Sequence, residues 1–183
     1  CQELQSINLT ENVTRIGGDA FSGCKKLTEL LLPESLTYIG CCFISGTGIE
    51  SITIPKNVTG CGSYYSNNKN YYGPFAGSSI KEVVFEEGMK SIPAYMCSFR
   101  NYSEVSKIER VVIPESVETI GTDAFYGCKC LEEVYIPKNV SGIGNYAFYG
   151  CIYLGEVVLN QNDTVLMTNS GKEPFRLTIG SYA

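Results

Sequence analysis

The chain contains no histidine among its 183 residues. Imidazole is the base of Ser-His-Asp and Cys-His nucleophile systems and a frequent zinc ligand, so its absence excludes these centres and every histidine-containing metal site. The sequence also lacks any apolar run approaching the roughly 18 to 20 residues that a transmembrane helix needs. Neither a histidine-dependent enzyme nor insertion of this segment into a membrane is expected.

Positive charge is also scarce. Fourteen Lys and Arg residues stand against 19 Asp and Glu, for a net charge of -5. Such a chain offers no basic field to the phosphates of a nucleic acid or to an acidic membrane surface, so neither is an expected partner. Its hydrophobic content of 44% is enough to build a substantial core.

A short phrase recurs along the chain. An Ile-Gly, an Ala-Phe and a Gly-Cys dipeptide appear in residues 120–128 and return, displaced by 23 residues, in 143–151. A fixed period of this size predicts an array of stacked units. Six repeats and a remnant share the register over residues 1–159. The predicted repeats are 4–26, 27–48, 49–79, 80–107, 108–130 and 131–153.

Each repeat opens with apolar residues at its first, fourth and sixth places, as in Leu131, Val134 and Ile136. The last two are spaced as on one face of a strand, which predicts one short strand per repeat. Proline follows in most repeats and ends the strand because it lacks a ladder donor. These prolines are Pro33, Pro55, Pro114 and Pro137.

The second half of each repeat carries another apolar pair, such as Val140 and Ile143, before the Ala-Phe dipeptide. It predicts a second short extended piece followed by a tight helical or 3₁₀ turn. A Phe recurring at one place in successive coils should stack with its neighbours in a continuous spine. The Gly-Cys that follows suits a tight turn back toward the next strand.

The combined pattern L-x-x-[IV]-x-[IL]-P and I-G-x-x-A-F-x-G-C resembles the BspA-like, or Treponema-type, leucine-rich repeat family. The resemblance implies a mainly β, right-handed solenoid of about six coils of 22–23 residues, two of them longer. One parallel strand per repeat would form the concave face, with short extended or 3₁₀ turns on the other side.

The same resemblance implies a noncatalytic binding or adhesion module, bacterial, secreted or at the cell surface, without a cofactor. Its expected partner is a host matrix or cell-surface protein or a glycan. A structural spacer within a larger surface protein is the alternative. An enzyme is not expected, because neighbouring carboxylates such as Glu132 and Glu133 would point to opposite faces of a strand.

The two ends of the chain relate to the repeat in different ways. Cys1 to Leu4 aligns with Cys24 to Leu27, so the chain opens within a repeat. This fits a fragment of a longer exported protein, and a lipoprotein with a lipidated Cys1 is the alternative. Residues 160–183 lose the pattern and are predicted to cap the open end of the array. The candidate lid residues are Val165, Leu166, Phe175, Leu177 and Ile179.

Nine cysteines raise the question of disulfides or zinc. Four of them occupy one place in the repeat, which favours buried, unpaired thiols that pack as small apolar groups. An odd total argues against a complete disulfide framework, and Cys128 and Cys130 lack a partner pair at zinc-ribbon spacing. The aligned four are Cys1, Cys24, Cys128 and Cys151.

Two features are candidate binding sites. Outward positions of the strands form a mostly apolar row, which is either a contact strip or the ordinary preference of strands for β-branched residues. An insertion at residues 63–74 is rich in tyrosine, as binding loops are, and is otherwise a loop packing its rings on the solenoid. We predict one patch around this loop. The predicted binding residues are Tyr64, Tyr65, Tyr71, Tyr72, Thr53, Val84, Val112 and Tyr135.

Overall fold

A computed structural model describes residues 1–62, 64–66, 70–100 and 105–159 as a mainly β repeat solenoid. Its described residues contain short strands and hydrogen-bonded turns and no helix. The strands are β1 (Arg15–Ile16), β2 (Tyr38–Ile39), β3 (Ser51–Ile54), β4 (Gly60–Cys61), β5 (Tyr64–Ser66), β6 (Asn70–Tyr72), β7 (Glu82–Phe85), β8 (Ser91–Ile92), β9 (Arg110–Val112), β10 (Thr119–Ile120), β11 (Glu133–Ile136), β12 (Gly142–Ile143) and β13 (Glu156–Leu159).

The longer strands form the predicted concave layer. Strands β3, β7 and β9 pair in parallel, and β11 pairs with β13 in the same manner. In β3 and β11 exposed and buried residues alternate, so that Ile52 and Ile54 point into the coil. Strands β3 and β11 end immediately before a proline, and the Pro55 carbonyl then accepts a turn hydrogen bond from the Val58 amide at 3.1 Å. From the third repeat onward, this half of the repeat folds as its pattern predicts.

The first two coils lack this ladder. Residues 27–32 keep buried Leu27 and Leu30 beside exposed neighbours, yet they are not a strand. A backbone hydrogen bond from the Gly48 amide to the Leu27 carbonyl, at 2.9 Å, ties this segment to the next coil. Alternation in a sequence reports which side chains are buried, whereas a ladder also requires amides and carbonyls to be aligned.

A second layer consists of two-residue strands, and it confirms the predicted second extended piece. Strands β1, β2 and β4 form one parallel sheet, and β8, β10 and β12 form another. Ile16, Ile39 and Ile120 from these strands are buried. Each coil therefore directs side chains inward from two opposed sides, and the core lies between them.

The third side of each coil is a hydrogen-bonded turn at the place where a helical or 3₁₀ turn was predicted. Amides of Asp123, Phe125 and Gly127 donate to carbonyls of the following coil at 2.7 to 3.0 Å. The backbone is left-handed at Asp123, with φ 54°, and at Gly127, with φ 73°. Alternate amides thus donate to the neighbouring coil, while those of Ala124, Tyr126 and Cys128 donate within the turn, each to the carbonyl three residues earlier, at 3.2 to 3.3 Å.

The predicted stacking of phenylalanines in successive coils is confirmed for Phe125 and Phe148, but the predicted continuous spine is wrong, because the described rings fall into separate groups. Phe43 and Phe75 are 5.9 Å apart, while Phe125 stacks on Phe148 at 5.1 Å. In the fourth coil Met96 and Cys97 occupy the corresponding places. The ring also changes places: it comes first of the two turn residues in the Phe43 coil and second in the Phe125 coil.

The insertion contains a β-hairpin. Strands β5 and β6 pair antiparallel, and Tyr72 makes an isolated bridge with Phe99 in the next coil. Beside it the Gly73 amide donates to the Ser98 carbonyl at 3.0 Å. The hairpin is therefore anchored to the turn side of the fourth coil.

The part of the chain that the structure describes contains no helix with the length and apolarity needed to span a bilayer. The predicted cap at residues 160–183 lies outside the described residues, so it remains a prediction.

Candidate binding surfaces

The predicted strip residues lie on the outward side of the concave layer. Thr53 is in register with Val84, and Val84 is in register with Val112, on three adjacent strands. Tyr135 takes the same outward position in β11 and is 42% exposed. Thr53 is exposed, whereas the two valines are half-buried. These four residues, which we call the concave strip, share a face as predicted.

A polar row runs beside the concave strip. Ser51 Oγ lies 3.0 Å from Glu82 Oε2, and the Arg110 guanidinium pairs with the other oxygen of the same carboxylate. On the strip itself the Tyr135 hydroxyl donates to Glu115 Oε1 at 3.2 Å. Because the Glu82 carboxylate is bound by the Ser51 hydroxyl and the Arg110 guanidinium, this row presents polar groups in fixed positions and no free carboxylate at its centre.

The hairpin does not adjoin the concave strip. It follows β4 in the second layer and contacts the turn segment at Phe99, whereas Thr53 and Val84 belong to the concave sheet. The backbone positions of Tyr64, Tyr65 and Tyr71 are described, and their side chains lie outside the described set. The predicted patch therefore divides into two surfaces on different sides of the coil.

Sequence reasoning missed a set of aromatic residues on the turn side. Tyr126 stacks on Tyr149 at 5.0 Å, and Tyr146 packs edge-on against Tyr149 at 5.7 Å. The Arg100 guanidinium lies 5.1 Å from the centre of the Tyr126 ring. Tyr126 and Tyr149 stand 23 residues apart, so the repeat period was the signal that could have placed them together.

Arg100 also forms the most buried ion pair among the described residues. Its Nη1 atom lies 3.1 Å from Oδ2 of Asp123, whose side chain is 2% exposed. Burial raises the pKa of Asp123, and the Arg100 charge partly opposes that rise. The pair spans the boundary between the fourth and the fifth coil.

The nine cysteines are all free thiols. Cys128 Sγ lies 3.2 Å from the Cys97 carbonyl, and Cys151 Sγ lies 3.2 Å from the Phe125 carbonyl. Burial raises the pKa of Cys151 to about 12 and that of Cys128 well above its ordinary value. Cys1 is exposed and differs from the three aligned thiols, which are buried. The prediction of buried, unpaired thiols is confirmed for those three.

Thr47 shows what the cysteine position requires. It follows its Ile-Gly at the same distance as Cys24, is buried, and donates from Oγ1 to the Ile44 carbonyl at 2.8 Å. This turn position therefore favours a small side chain with one hydrogen-bond donor, either the weak donor of a thiol or the stronger donor of a hydroxyl. Within the described ranges no group of three or more Cys, Asp or Glu residues could hold a metal ion.

Comparison with protein families gives one match that extends over most of the chain. The family described as BspA type Leucine rich repeat region matches in six copies, over residues 1–106 and 67–175. A comparison with curated proteins gives no match.

Solved structures give further similarities. A leucine-rich repeat protein from Bacteroides ovatus is 28% identical with a TM-score of 0.63, and the match covers 91% of this chain and 40% of that protein. A leucine rich cell surface protein from Faecalibacterium prausnitzii is 24% identical with a TM-score of 0.47, over 80% of this chain and 43% of that one. The pneumococcal vaccine antigen PcpA is 24% identical with a TM-score of 0.42, over 88% and 52%. This chain thus spans about half the length of these proteins or less.

Proposed function

The chain belongs to the BspA-type leucine-rich repeat family, and on that premise we propose that it is a noncatalytic binding or adhesion module of a bacterial surface or secreted protein. Its partner would be a protein or glycan of a host matrix or cell surface. The module would act through residues that the solenoid holds in fixed rows, with no chemical step.

The concave strip is the observation that carries this proposal. Parallel pairing spaces Thr53, Val84 and Val112 by about 4.8 Å, so a partner meets a regular row of side chains whose backbone is already ordered. The row combines an exposed threonine, two half-buried valines and a half-exposed tyrosine. An apolar centre beside fixed polar groups is the usual composition of a protein-binding surface.

The hairpin is the second surface included in the proposal. Tyr64, Tyr65, Tyr71 and Tyr72 lie on its two strands, with Tyr64 opposite Tyr72 and Tyr65 opposite Tyr71. Tyrosines among small polar residues offer large contact area at low entropic cost. Because the hairpin and the concave strip lie on different sides, each can be disabled without altering the other.

A spacer role is the alternative, and the backbone hydrogen bonds between coils favour it. The Gly48 amide donates to the Leu27 carbonyl at 2.9 Å and the Gly144 amide to the Ile120 carbonyl at 2.7 Å, each across a coil boundary. Such bonds keep a solenoid in one shape whether or not any surface binds, whereas the exposed ion pairs between coils, such as Lys26 with Glu3 and Lys81 with Glu50, contribute little. A spacer would show no saturable partner, which separates it from the adhesion module.

The test uses immobilised matrix proteins and a glycan array with three variants. The strip variant is Val84→Thr/Val112→Thr/Tyr135→Ser, which keeps side-chain volume at the half-buried positions. The hairpin variant replaces its four tyrosines by serine. Ile152→Ser is the control, because Ile152 is 60% exposed and lies outside both surfaces.

We expect the parent and the control to bind at least one partner saturably. The strip or the hairpin variant should lose that binding while its melting temperature stays close to that of the parent. Saturable binding that survives in both variants would remove both surfaces from the proposal. An absence of any saturable partner for the parent would favour the spacer.

A further inference from the structure

A groove of about 460 Å³ lies on the outside of the second, third and fourth coils. It follows the corner where the turn after the concave strand meets the second layer. None of its lining residues belongs to the concave strip or to the hairpin. The lining residues are Ser35, Thr37, Lys56, Asn57, Val58, Thr59, Gly88, Lys90 and Ser91.

Gly88 opens the groove. At the same turn position the preceding coil has Asn57 and the following coil has Ser116, whose Oγ accepts the Gly88 amide at 2.8 Å. A Cβ atom at Gly88 would lie 3.1 Å from Cδ of Lys56. The missing side chain therefore leaves room for the lysine stem and exposes backbone along the floor.

Two ammonium groups line the groove, and no carboxylate does. Lys56 Nζ is 3.2 Å from Glu34, Lys90 Nζ is 2.8 Å from Glu118, and Glu86 accepts a hydrogen bond from the Lys56 amide at 2.8 Å, with all three carboxylates outside the lining. Exposed pairs of this kind are weak, and each ammonium has three donor hydrogens. Both lysines can therefore contact a second anion while retaining or exchanging their glutamates.

The remaining polar side chains of the lining are hydroxyls and an amide, and Val58 is its apolar member. Thr37 donates to the Thr14 carbonyl at 3.0 Å, and Asn57 donates to the Glu34 carbonyl at 2.8 Å. These bonds leave the hydroxyl lone pairs of Thr37 and the amide oxygen of Asn57 as acceptors. Thr59 is exposed and offers a hydroxyl that both donates and accepts. Acceptors and donors alternating at this density match a ligand that carries several hydroxyls.

We propose that this groove binds an anionic saccharide, with a carboxylate or sulfate contacting Lys56 and Lys90 and sugar hydroxyls bonded to Thr37, Asn57 and Thr59. A volume of about 460 Å³ is within the range of small-molecule sites. Nucleic acid fits less well, because two lysines on a chain of net charge -5 cannot neutralise a run of phosphates. This site is additional to the surfaces proposed above and does not depend on them.

Titration followed by backbone amide NMR is the direct test. The probes are 3′-sialyllactose for a carboxylate, a chondroitin sulfate tetrasaccharide for a sulfate, and lactose as the neutral counterpart. We expect saturable shifts centred on residues 56–59 and 88–91 with one or both acidic probes. Lactose should bind at least about tenfold more weakly, because charge-assisted hydrogen bonds are about twice as strong as neutral ones.

Variants with equal loss of charge decide whether the groove is specific. Lys56→Gln/Lys90→Gln should weaken binding by about tenfold or more, since it removes both charge-assisted contacts. Lys26→Gln/Lys81→Gln also removes two lysines paired across coils, but outside the groove, and should bind like the parent. Thr59→Val should weaken binding by several-fold with no change in charge.

Equal weakening in the two lysine variants would show general charge attraction and overturn the site. Lactose binding as tightly as the acidic probes would overturn its anionic character. Failure of both acidic probes to shift residues 56–59 and 88–91 at millimolar concentration would overturn the proposal as a whole. None of these results alters the test of the concave strip and the hairpin, whose variants leave the groove intact.

Discussion

Arg100 and Asp123 face each other across the boundary between the fourth and fifth coils, with Nη1 3.1 Å from Oδ2. Burial is the larger influence on the carboxyl and raises its pKa above the ordinary 3.8, while the guanidinium acts in the opposite direction. The native state therefore keeps the Asp123 proton to a higher pH than the unfolded state does. Its contribution to stability is complete below 3.8 and is lost as the pH rises through the native pKa.

The first prediction follows from that sign. Relative to Asp123→Asn, the free energy of unfolding of the parent should decline as the pH is raised from about 4 toward neutrality. Arg100→Gln removes the charge that opposes the rise in the Asp123 pKa. The free energy of unfolding of this variant should therefore keep declining to a higher pH than that of the parent. Urea melts at several pH values measure both slopes. A parent that gains stability over the asparagine variant as the pH rises would show that the ion pair outweighs burial.

The second prediction concerns Phe125, which is fully buried, stacks on Phe148 and lies 6.2 Å from Phe85. Phe125→Ala should lower the free energy of unfolding by about 3 to 5 kcal/mol, as for other large-to-small changes in a core. Denaturant melts supply the value. Tyr146→Ala, at a half-exposed ring, is the control and should cost far less. Equal costs for the two would contradict the packing described for Phe125.

The third prediction concerns thiol reactivity. Cys1 is exposed and should react with a maleimide at once, whereas Cys128 and Cys151 are buried with a raised pKa and should react only after unfolding. The thiolate is the reactive form, so both burial and pKa slow the reaction. Mass spectrometry of timed samples, with and without urea, gives the rate at each site. Rapid labelling of Cys151 in the native protein, or a disulfide mass, would contradict this.

The fourth prediction concerns asparagine in the turns after the strands. Asn139 Nδ2 donates to the Glu115 carbonyl of the preceding coil at 2.7 Å, and Asn57 does the same toward Glu34. Asn139→Ala should cost about 1 kcal/mol, the net value of one such bond. Asn12 opens the same row and makes no such bond within the described residues, so Asn12→Ala should be nearly neutral. Thermal melts of the two variants compare them directly.

Repeat period and residue type were enough to predict the layers of each coil. Apolar residues two apart predicted that Ile52 and Ile54 are buried on one face of a strand, and the proline after them predicted where the strand ends. Both effects are local, since they depend on a side chain's hydrophobicity and on a missing amide proton. The absence of a strand ladder from coils one and two was not predictable in this way. It depends on how amides and carbonyls align between coils, which residue type does not encode.

Contacts between coils were the part that sequence reasoning missed. The side chains of Asn57 and Asn139, for example, bond to carbonyls of the preceding coil, a partner that residue type alone does not indicate. The hairpin was grouped with Thr53 and Val84 because they are neighbours in sequence, although the coil path carries them to different sides. Such relationships depend on three-dimensional stacking. The repeat register did predict the row of the concave strip, and the 23-residue spacing of Tyr126 and Tyr149 would have placed those two rings together as well.

The hydrogen bonds between coils run along the axis of the array, as on the turn side, where Phe125 donates to Ala147 of the following coil at 2.8 Å. A tensile load applied to the two ends therefore pulls these bonds in line and opens one coil boundary at a time, in place of shearing many bonds at once. Each coil that unfolds would contribute about 75 Å of extended chain, from roughly 23 residues at 3.3 Å each. Stretched between two anchored points, the module would unfold in steps, and each step would dissipate mechanical work.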